Sequence, residues 1–322
     1  MPFKNEAAFL GETLNSIKNQ SYTHWECICI DDNSEDSSAE IVSAFEERDK
    51  RFKYLPSSGH GVISALQCGH IQSKGKFITR MDADDLMPEK KLELLLELLV
   101  RSGEGVIATG KVSYFNALGE GFIRYQNWLN QMIDENSHRQ NIYKECVIAS
   151  PNWMMSVDDF KAIGAFNSNI YPEDYDLIFR SFEKNLKVAS TKEVTHLWRD
   201  HENRASRTSD LYMENTFVPL KVSFFIKLTL KENDKLTIWG VGKKGKAIAK
   251  EFINRGVSFK WVTNNPNKIG HIIYGVLIED VNSSVLENKF IAAVSQPEDL
   301  KKKQKELESK GLRLGVDYFV FV

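Results

Sequence analysis

Three short acidic groups are the residues best suited to chemistry. Asp82-Ala83-Asp84-Asp85 sets three carboxylates in one turn. Carboxylates this close repel one another unless water or a cation neutralises them. A hard divalent ion, Mn²⁺ or Mg²⁺, prefers oxygen from one or two carboxylates together with phosphate oxygens. A solvated loop ahead of a helix uses the same residues without any ion. Asp31-Asp32-Asn33-Ser34 has turn chemistry, although a carboxylate there also suits a base N–H or a ribose hydroxyl. Glu173-Asp174 either complements the dipole of a helix start or supplies Asp174 as general base to an acceptor hydroxyl. A fourth group, Gly240-Val241-Gly242-Lys243-Lys244-Gly245, is glycine-rich and admits a phosphate when a strand precedes it and a helix follows.

The elements around these groups explain their position. Phe9, Leu10, Leu14 and Ile17 recur at helical spacing, and Trp25 to Ile30 is a short apolar run that reads as a buried strand. Helix (Ser38–Asp49), strand (Phe52–Leu55), helix (Val62–Ser73), strand (Phe77–Met81) and helix (Glu89–Arg101) follow. Such alternation predicts an α/β fold with a mostly parallel sheet and helices on both faces. Sheets of this kind bind ligands beyond the carboxyl ends of their strands, where Asp31-Asp32 and Asp82 to Asp85 both lie. After the polar Lys231-Glu232-Asn233-Asp234, a new strand (Leu236–Trp239) opens a second, smaller α/β unit. The expected division is residues 1–210, a helical connector over 211–233, and residues 234–322.

At 322 residues the chain is long for one core and comfortable for two. Its 42% hydrophobic content excludes a largely disordered chain. A net charge of −2 gives no general attraction to nucleic acid. Cys27, Cys29, Cys68 and Cys146 form no CxxC pair, which argues against zinc and for reduced thiols. Met1 to Glu6 shows no signal-peptide pattern, so a cytoplasmic location is expected. Phe217 to Leu230, interrupted by Pro219, Lys221 and Lys227, falls short of the about 20 apolar residues a membrane span needs. It reads either as an amphipathic helix touching the inner face of a membrane or as an interdomain packing helix.

In this order, the patterns resemble the inverting family-two glycosyltransferases of the GT-A fold, from Met1 to about His201. Met1-Pro2-Phe3-Lys4-Asn5-Glu6 is similar to that family's opening turn, and Leu14 to Tyr22 to the helix after it. Glu26 to Asp36 is similar to its nucleotide-binding strand and turn, and Gly75 to Asp85 to the strand leading into its DxD motif. Ile163-Gly164-Ala165-Phe166, with Glu173-Asp174 and Arg180, resembles its acceptor-side signature. The resemblance implies that Asp32 and the backbone of Pro2 and Phe3 bind the nucleotide base, and that Asp82 approaches the ribose. It further implies that Asp84 and Asp85 hold the metal on the diphosphate, that His201 approaches the diphosphate or metal, and that Asp174 is the catalytic base. The implied reaction is metal-dependent and inverting: one in-line displacement carries a sugar from a nucleotide-sugar donor, UDP-linked by preference, to a saccharide or lipid-linked saccharide. Synthesis of a surface polysaccharide or glycoconjugate would use it.

Two features depart from the family. Leu66-Gln67 stands where the family shows Arg-Asn, leaving His60 or Arg80 to replace a basic contact to the donor. The family's first strand precedes the Met-Pro dipeptide, so about five to eight apolar, β-branched residues are expected upstream of Met1. These departures keep open a catalytically silent nucleotide-binding or scaffolding subunit, and the glycine motif keeps open an oxidoreductase.

The C-terminal unit resembles the small Rossmann-like domains of sugar-modifying bacterial enzymes, with Gly240, Gly242 and Gly245 as candidate phosphate contacts. Dinucleotide binders place an acid at the end of the next strand for the ribose, but here Thr263-Asn264-Asn265 ends that strand. A neutral amide lacks the charge assistance of a carboxylate. The fragment Asp234–Val322 is therefore expected to fold alone and to favour a nucleotide sugar over NADH. Calorimetric titration should show weak or no NADH binding; micromolar affinity would point to redox chemistry instead.

Overall fold

The computed structural model describes residues 1–116, 119–202, 204, 207, 216–284, 287–294 and 297–321. They form two compact units: Met1–Asn136 with Ile148–Thr208, and Ser137–Val147 with Ser209–Val322.

In the first unit, β1 (Pro2–Phe3), β2 (Cys27–Asp31) and β3 (Phe52–Pro56) make a parallel three-stranded sheet in the order β1-β2-β3. Between them run α1 (Ala7–Lys18) and α2 (Ser38–Arg48), and α3 (Val62–Gln72) follows β3. Helix α1 buries Leu10, Thr13, Leu14 and Ile17, one stripe at helical spacing. With Phe3, Cys29 and Phe52 these apolar side chains build the core. Strand β2 stops where Asp31 accepts the Ser34 N–H and Asn33 turns left-handed at φ 61°, as turn-forming side chains favour.

A four-stranded sheet, in the order β4-β6-β5-β7, completes this unit. It contains β4 (Phe77–Thr79), β5 (Val106–Phe115), β6 (Trp153–Ser156) and β7 (Lys187–Arg199). Strands β5 and β7 are parallel, while β6 is antiparallel to both β4 and β5. The alternation of strands and helices gave no sign of the antiparallel β6, whose partners lie far away in sequence. Helices α4 (Lys91–Ser102), α5 (Glu120–Glu135), α7 (Val157–Ala162) and α8 (Glu173–Glu183) accompany it. Ser156 caps α7, its hydroxyl accepting the Asp159 N–H.

The short α6 (His138–Asn141) belongs to the second unit. There β8 (Leu236–Trp239), β9 (Phe259–Thr263), β11 (Val276–Asp280), β12 (Lys289–Ala292) and β13 (Tyr318–Val320) form a parallel sheet in the order β11-β9-β8-β12-β13. The short β10 (Ile272–Ile273) joins β11 as an antiparallel hairpin. Between these two strands Tyr274 and Gly275, at φ 53° and 78°, turn the chain back. Helices α9 (Val218–Leu228), α10 (Lys243–Asn254) and α11 (Pro297–Ser309) complete the unit.

Helix α9 is packed inside this second unit. Val218, Leu220, Lys221, Val222, Phe224 and Phe225 are buried, and Lys221 Nζ donates to Lys144 O. The buried face of the helix thus packs within this unit. Among the described residues no helix is long and apolar enough to cross a membrane. Phe225 meets Tyr143, Phe252, Phe319 and Phe321 with ring centroids 5.0–6.0 Å apart. A fragment starting at Asp234 loses Phe225 and Tyr143 from this cluster, so its independent folding, expected above, conflicts with the packing. Phe225→Ala should destabilise the second unit by about 3–5 kcal/mol, measured as a shift in its urea unfolding transition.

Candidate functional site

The acidic turn after β4 is held from three directions. From α1, the Thr13 hydroxyl lies 2.8 Å from both the Ala83 and Asp85 carbonyl oxygens. From β7, the Arg199 N–H donates to Asp85 Oδ1 at 2.8 Å, and Arg199 Nε donates to Asp84 O at 2.7 Å. From its own strand, Arg80 Nε donates to Asp82 Oδ1 at 2.7 Å, while Nη1 donates to Glu173 Oε1 at 2.6 Å. Arg80, only 9% exposed, therefore ties the turn to the start of α8, where Asp174 stands.

The three carboxylates of the turn have different surroundings. Burial works against the ionised form of Asp82, but Arg80 prevails and holds its carboxyl below the usual range. Asp84 is raised by burial and by Asp85 and Asp82, against the opposing hydrogen bond of His201. His201 Nε2 lies 3.0 Å from Asp84 Oδ2. Asp85 is fully buried and is committed to the fold, its oxygens meeting Arg199 N–H and His196 Nε2. Burial pushes Asp85 up to about 7 and His196 well below its ordinary value. A neutral His196 donates Nε2–H to Asp85, and its buried Nδ1 has no partner.

Glu6 joins this crowd, though the sequence offered no signal for it beyond its place ahead of α1. Burial, then Asp84, Asp36, Asp82 and Asp85, raise its carboxyl to about 8. Arg204 is a second addition, an electrostatic counterweight to Asp85 and Asp84 lying over the Tyr114, Phe122 and Trp198 rings. The folded-state values of Glu6 and Asp85 exceed those of free carboxyls. Their protonation thus favours the fold in acid, and that contribution is lost as pH rises through about 7 and 8. Carboxyls crowded in this way ionise together only when a cation compensates them, and Asp84 with the His201 imidazole beside it offers the donor types a divalent ion accepts.

Asp174 opens α8. Burial, then Glu173, raise its carboxyl to about 7 although Arg80 opposes them. Arg180 fixes the approach to this helix: its Nε donates to Asp176 Oδ2 at 2.7 Å, and Nη1 to Ile163 O. The Ile163 turn needs that clamp because Gly164 and Ala165 are both left-handed, at φ 87° and 49°.

Asp32, Pro2 and Phe3 come together on the neighbouring sheet. The Asp32 N–H donates to Phe3 O, and the Asp32 carboxylate accepts the Gly61 N–H at 2.9 and 3.0 Å. Of the basic groups considered for the donor, Arg80 is engaged by Asp82 and Glu173, while His60 Nδ1 lies 3.1 Å from Asn33 Nδ2. Gln67 donates to Phe166 O.

In the second unit the glycines lie where the strand order reverses, between the carboxyl ends of β8 and β12. A Cβ on Gly240 would collide with Ala293 O, and one on Gly245 with Gly240 O, so packing alone demands both. Gly242, at the start of α10, has open space around it.

Comparison with known proteins agrees with this architecture. The chain superimposes on Staphylococcus aureus TarS 1–349 in complex with UDP with a TM-score of 0.51 and 15% identity, covering 79% of this chain and 69% of TarS 1–349. It also superimposes on the mannosyltransferase PcManGT of Pyrobaculum calidifontis, in complex with GDP-Man and Mn²⁺, with a TM-score of 0.50 and 15% identity, covering 70% and 61% of the two chains. The fold is thus that of the GT-A transferases. The model of glycosyl transferase family 2 matches residues 1–164, and the chain belongs to that family. The putative teichuronic acid biosynthesis glycosyltransferase TuaG of Bacillus subtilis is 30% identical over 111 residues, 34% of this chain and 44% of TuaG. The chain spans 21% to 41% of the length of the first curated relatives it matches.

Removing Arg80 should expose how much the site depends on it. Arg80→Met leaves Asp82 and Glu173 without their shared cation and should cost about 3–5 kcal/mol of stability, measured by urea unfolding. A loss below about 1 kcal/mol would mean that water replaces the guanidinium.

Proposed function

We propose that the first unit transfers a sugar from a nucleoside diphosphate donor, UDP-linked by preference, to a saccharide hydroxyl, free or lipid-linked, with inversion. The observation that carries this reading is the Arg80 bridge, which ties the acidic turn to the helix start bearing Asp174. Family membership supports the reaction class. The UDP and GDP-Man complexes of TarS and PcManGT support the donor class, and the name of TuaG supports a cell-surface polysaccharide as product.

In this reading Asp32, with the backbone of Pro2 and Phe3, receives the nucleotide base, and Asp82 the ribose. Asp84 and His201 hold Mn²⁺ or Mg²⁺, while Asp85 fixes the turn from within. Among the described residues no three acidic, histidine or cysteine side chains converge on one point. Phosphate oxygens and water complete such a shell. The bound cation offsets the charge of the leaving diphosphate. Asp174 takes the proton of the acceptor hydroxyl as its oxygen attacks the anomeric carbon from the face opposite the leaving group. A carboxyl raised to about 7 is matched to that task at neutral pH. In the second unit, Gly240, Gly242 and Gly245 remain proposed phosphate contacts.

Two variants test the assignment. Asp174→Asn should lower turnover by about 10²-fold or more. The wild-type rate should rise with pH through about 7, because only the ionised carboxylate accepts a proton. Asp84→Ala should lose the Mn²⁺-dependent rise in melting temperature that binding to the folded state confers. A near-native rate for Asp174→Asn moves the base to another residue, and an unchanged Mn²⁺ shift in Asp84→Ala moves the cation.

A further inference from the structure

Lys303 faces inward from α11. It shares the buried stripe of that helix with Leu300 and Leu307, while Lys301, Lys302 and Lys305 are exposed. Its ammonium lies 4.1 Å from the centroid of the Trp239 ring, and the residue is only 8% exposed. Among the described residues it has no hydrogen-bond or ion-pair partner; Asp299 and Glu306, on the turns either side, attract it without forming an ion pair. Burial lowers it to about 8 in spite of them, so the protein leaves this charge uncompensated. Trp239 carries a second unused donor: it is buried, and its Nε1 has no partner.

Both donors belong to the carboxyl edge of the sheet. Trp239 ends β8, and its register with Val262 and Ala292 sets it on the face covered by Leu300 and Leu307. Helix α10 covers the opposite face, where Phe252 meets Phe259. Helical side chains lean towards the helix start, and α11 starts beyond the carboxyl end of β12, so Lys303 leans towards that edge. There the strand order reverses between β8 and β12. From the other layer Gly242 opens α10, with nothing within 4 Å of where its Cβ would be.

Two buried donors without an acceptor are costly. The ring contact offsets part of the cost for Lys303 but gives the indole N–H nothing. Water accepts from both yet brings no charge. An anion supplies the acceptor and the charge together. A diphosphate does more than a carboxylate, since it has oxygens on two centres: one for the helix start of one layer, one for the lysine of the other.

We propose that Lys303 and the Trp239 indole N–H form an anion site at the carboxyl end of β8, and that its ligand is a diphosphate, free or borne by a nucleoside. Lys303 supplies the charge and Trp239 one hydrogen bond, while the second phosphate faces the start of α10. That last contact rests on the reading of Gly242 given above; the Lys303–Trp239 pair does not.

The test labels the full chain with ¹⁵N-tryptophan, so that Trp239 Nε1–H reports on the second unit even when the first binds nucleotide. Trp239→Phe assigns the resonance. Pyrophosphate and UDP are titrated at constant ionic strength, with acetate as the carboxylate probe. The resonance should move saturably with the phosphates; equal affinities assign the diphosphate alone, and tighter UDP binding adds the nucleoside. Lys303→Met should weaken binding by about tenfold or more, and Lys303→Arg should retain it. Without ligand, Lys303→Met should melt no lower than wild type, because an apolar side chain replaces an uncompensated buried charge. Absence of a saturable response to both phosphates overturns the proposal, as does an unchanged response in Lys303→Met or a response confined to acetate. A lower melting temperature for Lys303→Met would also overturn it, making the lysine a structural cation over Trp239. Gly242→Val separates the two readings. Loss of the response there, with Lys303→Met unaffected, sinks this inference and keeps the glycine contact; the converse keeps Lys303 and removes Gly242.

Discussion

The buried guanidinium of Arg80 organises the first unit. Arg80 follows directly on β4, and its two hydrogen bonds run to Asp82, two residues on, and to Glu173, 93 residues away. Two carboxylates in so dry a place are costly without a cation, and one cation serves both only when the elements carrying them hold fixed positions. The planar fork of arginine meets that demand, whereas the point charge of lysine would not hold both angles. One side chain thus ties the acidic turn to the start of α8, and so links the position of Asp174 to that of Asp82.

Around this piece the protein crowds carboxyl groups that are hard to ionise together. Asp84, Asp85 and Glu6 all sit above the ordinary carboxyl range, chiefly through burial. Arg199 and Arg204 restrain the crowding from the β7 side: Arg199 through hydrogen bonds to the turn, Arg204 through space over an aromatic surface. Repulsion of this size is sustained because the turn is fastened by backbone and hydroxyl contacts that do not depend on protonation, such as those of Thr13.

The positions of Asp31-Asp32 and of Asp82 to Asp85 were readable from the sequence because they follow apolar runs, which mark strands well. The parallel character of β2 and β3 followed from the same alternation, whereas Pro2–Phe3, read as a turn, pairs with β2 as a short strand. What could not be read was every pairing across long separations. Nothing near Arg80 identifies Glu173 as its partner, and nothing near Glu6 shows that Asp84 and Asp85 crowd it. The antiparallel β6 was hidden because its register depends on Ile78 and Ile107 meeting Met155, a match of shapes with no local pattern. Asp85 illustrates another limit. It is chemically identical to Asp84 and adjacent to it, yet it faces inward to His196 while Asp84 meets His201. Gly240 and Gly245 warn in the opposite direction, since a motif that suggests phosphate is here required by close backbone packing.

The strip Ser137–Val147 is grouped with Ser209–Val322, not with the residues on either side of it. The chain therefore crosses from one unit to the other three times, and no single cleavage separates them. During synthesis the strip emerges more than sixty residues before the bulk of its unit begins, so Tyr143 must wait for Phe225, Phe319 and Phe321 before its ring is enclosed. The first unit meanwhile closes only after the ribosome has passed Ile148–Thr208, which follows the strip. Completion of the two units is thereby interleaved in time, and neither could have been added to the other by simple end-to-end fusion of finished segments.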